Sequence, residues 1–167
     1  MLDALPDRDT EESLSLVEDV IREAAAMPKL MVPAEFAAVG PLLFLLVGGR
    51  DGVDAYRHGV IVDDEVFIPL YRETLASLLA EVPGLSVLNP LVEAGIAQDH
   101  RENAALLAAL ELLDPVDGSR PRLAAATRFT VPAALHAAAK FALLTPALLP
   151  AAGVAGGLMA RRLLGRG

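Results

Sequence analysis

The chain has 167 residues, is 54% hydrophobic and only 4% aromatic, and contains no cysteine or tryptophan. This length accommodates one compact domain with a short appendage but not two full domains. Without cysteine there can be no disulfide, thiolate metal site or cysteine nucleophile. Most of the apolar residues are alanine and leucine, which favour helices, so the composition predicts an all-α fold of about five or six helices.

Charge is distributed unevenly along the chain. The net formal charge is −8, but all 22 acidic residues lie at or before Asp117, together with seven of the 14 basic residues. The remaining residues carry the other seven basic side chains and no acidic one. This asymmetry predicts an acidic body and a basic, apolar tail that meets an anionic surface: lipid headgroups, nucleic acid or the acidic body of another copy.

The N-terminal part begins with an acidic lead, residues 1–9, which we expect to be mobile and which does not resemble a secretory signal. The acidic helical body is predicted to extend over residues 10–114. At its start, Asp9 and Glu12 form a capping-box pattern, and apolar residues follow at helical spacing. These features predict an amphipathic surface helix that ends near Met27.

The next segment, LMVPAEFAAVGPLLFLLVGG, is almost entirely apolar. Because proline interrupts a helix, Gly40-Pro41 predicts a short helix, a break and a second short helix that ends at Gly48-Gly49. Glu35 and the break make the segment a poor membrane span. We therefore expect a buried hairpin or a kinked helix.

The string VIVDDEVFI, from Val60 to Ile68, predicts a small β-hairpin, although no other strand is available to pair with it. Pro69 is expected to begin a helix that Pro83-Gly84 ends. Asn89-Pro90 then predicts the start of a helix interrupted by the polar patch QDHREN. Either this helix continues through a solvated turn, or two helices meet there.

The linker is predicted at residues 115–122 and the basic apolar helical tail at 123–167. Twenty uncharged residues, Phe141 to Ala160, are long enough to cross a hydrocarbon core. Two prolines, three glycines and the absence of an aromatic belt weaken this interpretation, so the segment is expected to need other helices around it. A soluble alternative makes it two helices, Val131–Thr145 and Pro150–Leu164, that cover the body.

The tail supplies the predicted functional residues. Those expected to contact a membrane or partner are Phe141, Leu144, Leu148, Leu149, Leu158 and Met159. Those expected to flank the segment with positive charge are Lys140, Arg161 and Arg162. Those expected to pack closely against another helix are Gly153, Gly157 and Ala160, which continue a G-x-x-x-G pattern.

No catalytic, metal-binding or cofactor-binding motif is present. His58 and His100 have carboxylates nearby in sequence, but their spacing fits no established metal site. Nucleic-acid binding is disfavoured because the basic region has no aromatic platform. A metal-dependent enzyme that uses His58 or His100 therefore remains only the third hypothesis.

The leading hypothesis is a non-enzymatic, membrane-associated scaffold at the cytoplasmic face of a membrane. It would oligomerise and attach a partner protein or larger complex through its C-terminal tail. The second hypothesis is a soluble, cytoplasmic ligand-binding or regulatory module with an apolar pocket between PLLFLLVGG and the tail.

Overall fold

The computed structural model describes residues 32–114 and 122–165, and every regular element within them is helical. This confirms the predicted all-α class. The predicted N-terminal helix and most of the linker lie outside the described residues. The elements are α1 (Val32–Val62), a π-helical segment (Asp63–Phe67), α2 (Ile68–Ala80), a 3₁₀ turn (Leu85–Leu88), α3 (Asn89–Leu113) and α4 (Leu123–Leu164).

The described parts form three helical stretches, because α1, the π-helical segment and α2 follow one another along the chain and only a kink within α1 interrupts them. The expectation of five or six helices is therefore wrong for them. The β-hairpin is also wrong, since Val60 to Ile68 is helical throughout. Val60 and Ile68 are instead buried between helices. Packing against neighbouring helices thus outweighs the intrinsic strand preference of these residues.

A sharp kink inside α1 reverses the chain at Gly49, whose φ is 58° and ψ −140°. The ring of Tyr56 consequently lies 6.0 Å from the ring of Phe36, a residue that a straight helix would place about 30 Å away. The predicted break at Gly40-Pro41 is wrong, because Pro41 lies within the helix and is buried. The reversal occurs at Gly49 because glycine adopts a positive φ without steric cost.

The two arms of this kink approach each other closely at a second glycine. A Cβ atom on Gly52 would lie 2.2 Å from the backbone oxygen of Phe44. Only a residue without a side chain fits there. The two arms therefore form a helical hairpin, and its turn lies next to the end of α3 and the start of α4, where Leu42 and Val53 join one core cluster.

The longest helix, α4, packs along α3 and contributes small side chains to the core. A Cβ atom on Gly95 of α3 would lie 2.6 Å from the side chain of Leu144, so the two helices come into close contact. The α4 residues that are buried are Ala126, Thr127, Thr130, Ala133, Ala137, Leu144, Ala147 and Ala151. The part of α4 that follows Ala151 is largely exposed and extends past this core.

The hairpin turn generates a stability prediction. Gly52→Ala should lower the free energy of unfolding by about 1–3 kcal/mol, because the added methyl group must displace the backbone of Phe44. Gly48→Ala is the matched control: within the described part of the chain no atom lies within 4 Å of its Cβ position, and alanine favours a helix. Urea unfolding followed by circular dichroism measures both variants. Equal stabilities would contradict the close approach of the two arms.

Candidate functional site

The described core contains a row of polar side chains on α3. The buried apolar positions Val92, Ile96, Leu106 and Leu110 follow one helix face, and Asp99, Glu102 and Asn103 occupy the same face between them. All three are buried. The patch QDHREN is therefore neither a helix break nor a fully solvated turn. Asp99, Glu102 and Asn103 continue the spacing of the buried apolar residues of α3, and this spacing is the sequence signal that would have revealed a polar core.

Lys140 of α4 lies opposite this row. Its Nζ is 2.6 Å from Asp99 Oδ1 and 2.7 Å from Glu102 Oε2, and its side chain is only 14% exposed. The contact with Asp99 is a hydrogen bond, whereas the contact with Glu102 is an ion pair without hydrogen-bond geometry. One ammonium thus compensates two buried carboxylates between α3 and α4.

The continuous stretch from α1 to α2 closes the polar cluster. Tyr71 Oη donates a hydrogen bond of 2.5 Å to Asp99 Oδ2. Asn103 Nδ2 donates to Asp63 Oδ2 at 3.0 Å and to Asp64 Oδ1 at 3.3 Å. The two aspartates are consecutive residues of the π-helical segment, and such segments often occur at functional sites. Here the segment places the carboxylates of Asp63 and Asp64 within hydrogen-bonding distance of the side-chain amide of Asn103.

The histidines lie at or outside the edge of the polar cluster. His100 Nδ1 is 2.7 Å from Asp64 Oδ1 in a half-exposed pair, and His136 Nδ1 is 2.8 Å from Gln98 Oε1. His58 is exposed. Among the described residues, no three or more His, Asp or Glu side chains form a group that could hold a metal ion.

The pKa shifts follow from burial and pairing. Burial raises the pKa of the Glu102 carboxyl, and Lys140 only partly opposes this rise. Burial alone would lower the pKa of Lys140, but its contacts with Asp99 and Glu102 outweigh that effect and the net pKa is raised. Burial and the hydrogen bond to Asp99 also raise the pKa of Tyr71. At neutral pH, Lys140 is therefore a cation and Tyr71 is neutral, as this hydrogen-bonding arrangement requires.

The tail residues predicted from the sequence lie in three different environments. Lys140 points into the bundle, and Leu144 is buried at the contact with Gly95. The exposed contact residues are Phe141, Leu148, Leu149, Leu158 and Met159, and the basic pair Arg161-Arg162 is exposed as well. The small residues Gly153, Gly157 and Ala160 are exposed, and no atom of the described residues lies within 4 Å of a Cβ position on either glycine.

An apolar groove of about 350 Å³ lies at the kink of α1. Its described lining residues are Leu43, Phe44, Val47, Gly48, Gly52 and Ala55. All belong to the two arms of the helical hairpin. The sequence had suggested a pocket between the first of these arms and the tail, whereas this groove lies between the arms themselves.

The described helices include two that are long and apolar enough to cross a membrane by length and composition, one within Phe36–Ala80 and one within Leu123–Leu164. Within Leu123–Leu164, 17% of an apolar 18-residue stretch is buried, whereas within Phe36–Ala80 the buried share of such a stretch is 44%. No protein family, curated protein or solved structure matches this chain.

The ion cluster predicts a large effect of removing its cation. Lys140→Met should lower the free energy of unfolding by about 3–5 kcal/mol, because it leaves two buried carboxylates without their counter-ion. Arg161→Met, at an exposed position, should change it by less than about 0.5 kcal/mol. Urea denaturation compares the two variants. A Lys140→Met protein as stable as the control would contradict the role of Lys140 in the core.

The raised pKa of Glu102 predicts a pH dependence. The folded state holds the Glu102 proton more tightly than the unfolded chain does, so raising the pH from 4 to 7 favours unfolding through this group. In Glu102→Gln this contribution is absent. The stability of the wild-type protein relative to the variant should therefore fall between pH 4 and pH 7 in urea titrations. Parallel pH profiles would show that Glu102 has an ordinary pKa.

Proposed function

We propose that this protein is a non-enzymatic scaffold that lies on the cytoplasmic face of a membrane, self-associates and attaches a partner protein there through α4. The observation that carries this proposal is the outward surface of α4. Between Arg128 and Arg161, the only residues of α4 that can carry charge are His136 and Lys140, and both bond to groups of α3. The exposed surface of the helix is thus uncharged over about 48 Å.

A surface helix of a soluble bundle normally presents polar residues to water. On α4, Leu135 is 66% exposed and Leu149 71% exposed, and further exposed apolar residues continue to the end of the helix. An apolar surface of this extent marks a contact with a membrane or with another protein. The exposure supports an attachment role for α4 in addition to its role in the core.

The buried ion cluster favours attachment at the surface over a transmembrane arrangement. The first half of α4 packs on α3, and α3 carries Asp99 and Glu102 inside the bundle and further charged residues outside it. Crossing the bilayer would require α4 to leave these contacts or to take charged side chains into lipid. A helix that lies in the interfacial plane avoids both costs.

The exposed end of α4 has the composition of such an interfacial segment. Leu158 and Leu164 are exposed on either side of the pair Arg161-Arg162. Apolar side chains enter the headgroup region, while each arginine near an anionic surface contributes about 1 kcal/mol. The acidic body then remains available to a partner protein, which we expect to present basic residues.

Vesicle flotation tests the attachment. The full-length protein should float with vesicles that contain phosphatidylglycerol and much less with pure phosphatidylcholine. Arg161→Glu/Arg162→Glu should weaken binding to the anionic vesicles by at least about 30-fold, because two favourable charges become repulsive. Arg101→Glu, at an exposed position of α3, is the control and should retain binding. A wild-type protein that stays unbound at low salt would refute the proposed attachment.

A further inference from the structure

We infer that a second copy of this chain covers the outward face of α4 through an antiparallel, two-fold pairing of α4 with α4. This inference rests on one part of the proposed function, the self-association, and specifies its geometry. It does not depend on the proposed membrane attachment. The face concerned, here termed the outward stripe, runs from Val131 to Leu163 at alternating spacings of four and three residues. Its central members are Leu135, Ala138, Ala142, Thr145, Leu149 and Ala152.

The outward stripe has the spacing of a coiled-coil seam and contains no charged residue. It lies opposite the buried positions of α4, and all its members except the partly exposed Ala138 are exposed. Its one central hydroxyl, that of Thr145, already donates a hydrogen bond of 2.6 Å to the carbonyl oxygen of Phe141. Covering the stripe would therefore leave no polar side chain without a partner, and it would bury apolar surface.

The sizes of the side chains indicate how two stripes fit together. In an antiparallel pair, the two kinds of seam position face each other, so each layer contains one of each kind. A two-fold axis midway between Ala142 and Thr145 then matches a larger residue with a smaller one along the seam. The layers pair Thr145 with Ala142, Leu149 with Ala138, Leu135 with Ala152 and Val131 with Gly156, one residue from each copy.

Other pairings fit less well. A parallel pair places Leu135 opposite Leu135 of the other copy and Ala142 opposite Ala142. Layers of two large side chains then alternate with layers of two small ones that leave space unfilled. An antiparallel pair shifted by seven residues places Leu149 against Val131 and Ala138 against Ala142, with the same defect. The favoured register also has its axis at the midpoint of Leu123–Leu164. The two helices then overlap over their whole length.

The length of α4 makes the contact large enough for a stable dimer. Its 42 residues extend over about 63 Å, and a strip about 10 Å wide along it gives on the order of 600 Å² per copy. The two copies together then bury about 1,200 Å², which is the lower limit of the size range of stable interfaces. Along the part of α4 that follows Ala151, the pairing covers only the outward stripe, so Leu158 and Leu164 stay exposed for contact with lipid. There Arg128 of one copy can lay its aliphatic stem over Met159 of the other.

Engineered cysteines test the geometry, because the chain has none of its own. Leu135→Cys alone and Ala152→Cys alone should not cross-link under mild oxidation. In each of these dimers, the cysteine of one copy lies about 26 Å along the helix from the same cysteine of the other copy. A mixture of the two variants should form a disulfide-linked dimer. Cross-linking of Leu135→Cys with itself, or no product from the mixture, would overturn the antiparallel pairing.

The mass of the assembly in detergent-free buffer tests the interface. The wild-type protein should be a dimer by light scattering or sedimentation. Leu135→Glu and Leu149→Glu should raise the dissociation constant at least about tenfold, without loss of helical content, because both side chains are exposed in the single chain. Leu70→Glu is the matched control on α2, at 58% exposure, and should remain dimeric. A monomeric wild-type protein overturns the inference.

Salt and vesicles separate this inference from membrane attachment. Dimerisation through an uncharged stripe should persist between 0.1 and 1 M NaCl, whereas binding of Arg161-Arg162 to anionic vesicles should decline. A salt-stable dimer that fails to float would refute the attachment and retain the pairing. A monomer that floats, and loses flotation in Leu135→Glu, would retain the attachment and assign the outward stripe to lipid, which refutes the pairing.

Discussion

The compensation of two buried carboxylates by one lysine is the interaction on which the arrangement of the helices depends. Asp99 and Glu102 can remain in the core of the bundle only because Lys140 reaches them from α4. This requirement restricts both the rotation of α4 about its axis and its position along α3. The face of α4 that contains Lys140 must point inward, and the opposite face must point away from the bundle.

That orientation explains why so apolar a helix can belong to the bundle and still have a surface that the other described helices leave uncovered. The inward face is built largely from alanine, and the glycine at position 95 lets Leu144 approach α3 closely. The outward face carries leucine, valine and small residues, which favour contact with lipid or with another helix rather than with water. The proposed membrane attachment and the inferred pairing of copies are therefore two consequences of one constraint.

Local chemistry in the sequence predicted several features correctly. Alanine and leucine predicted an all-α fold, Pro83-Gly84 marked the end of α2 to within a few residues, and Asn89-Pro90 marked the start of α3. Each depends on preferences that act over a few residues. The hairpin predicted over Val60 to Ile68 failed because β-branched residues favour a strand only where another strand is available, and here the two ends of the segment, Val60 and Ile68, pack between helices.

The polar core did not follow from local sequence preferences, because a run of charged residues on a helix usually faces water. Only the packing of three helices decided that Asp99, Glu102 and Asn103 are interior and that Lys140, which the sequence suggested as a membrane flank, is their partner. The sequence by itself determined the helical class, the end of α2, the start of α3 and the uncharged run from Phe141 to Ala160. Tertiary structure decided which side of that tail is inward, since burial depends on residues distant in the chain.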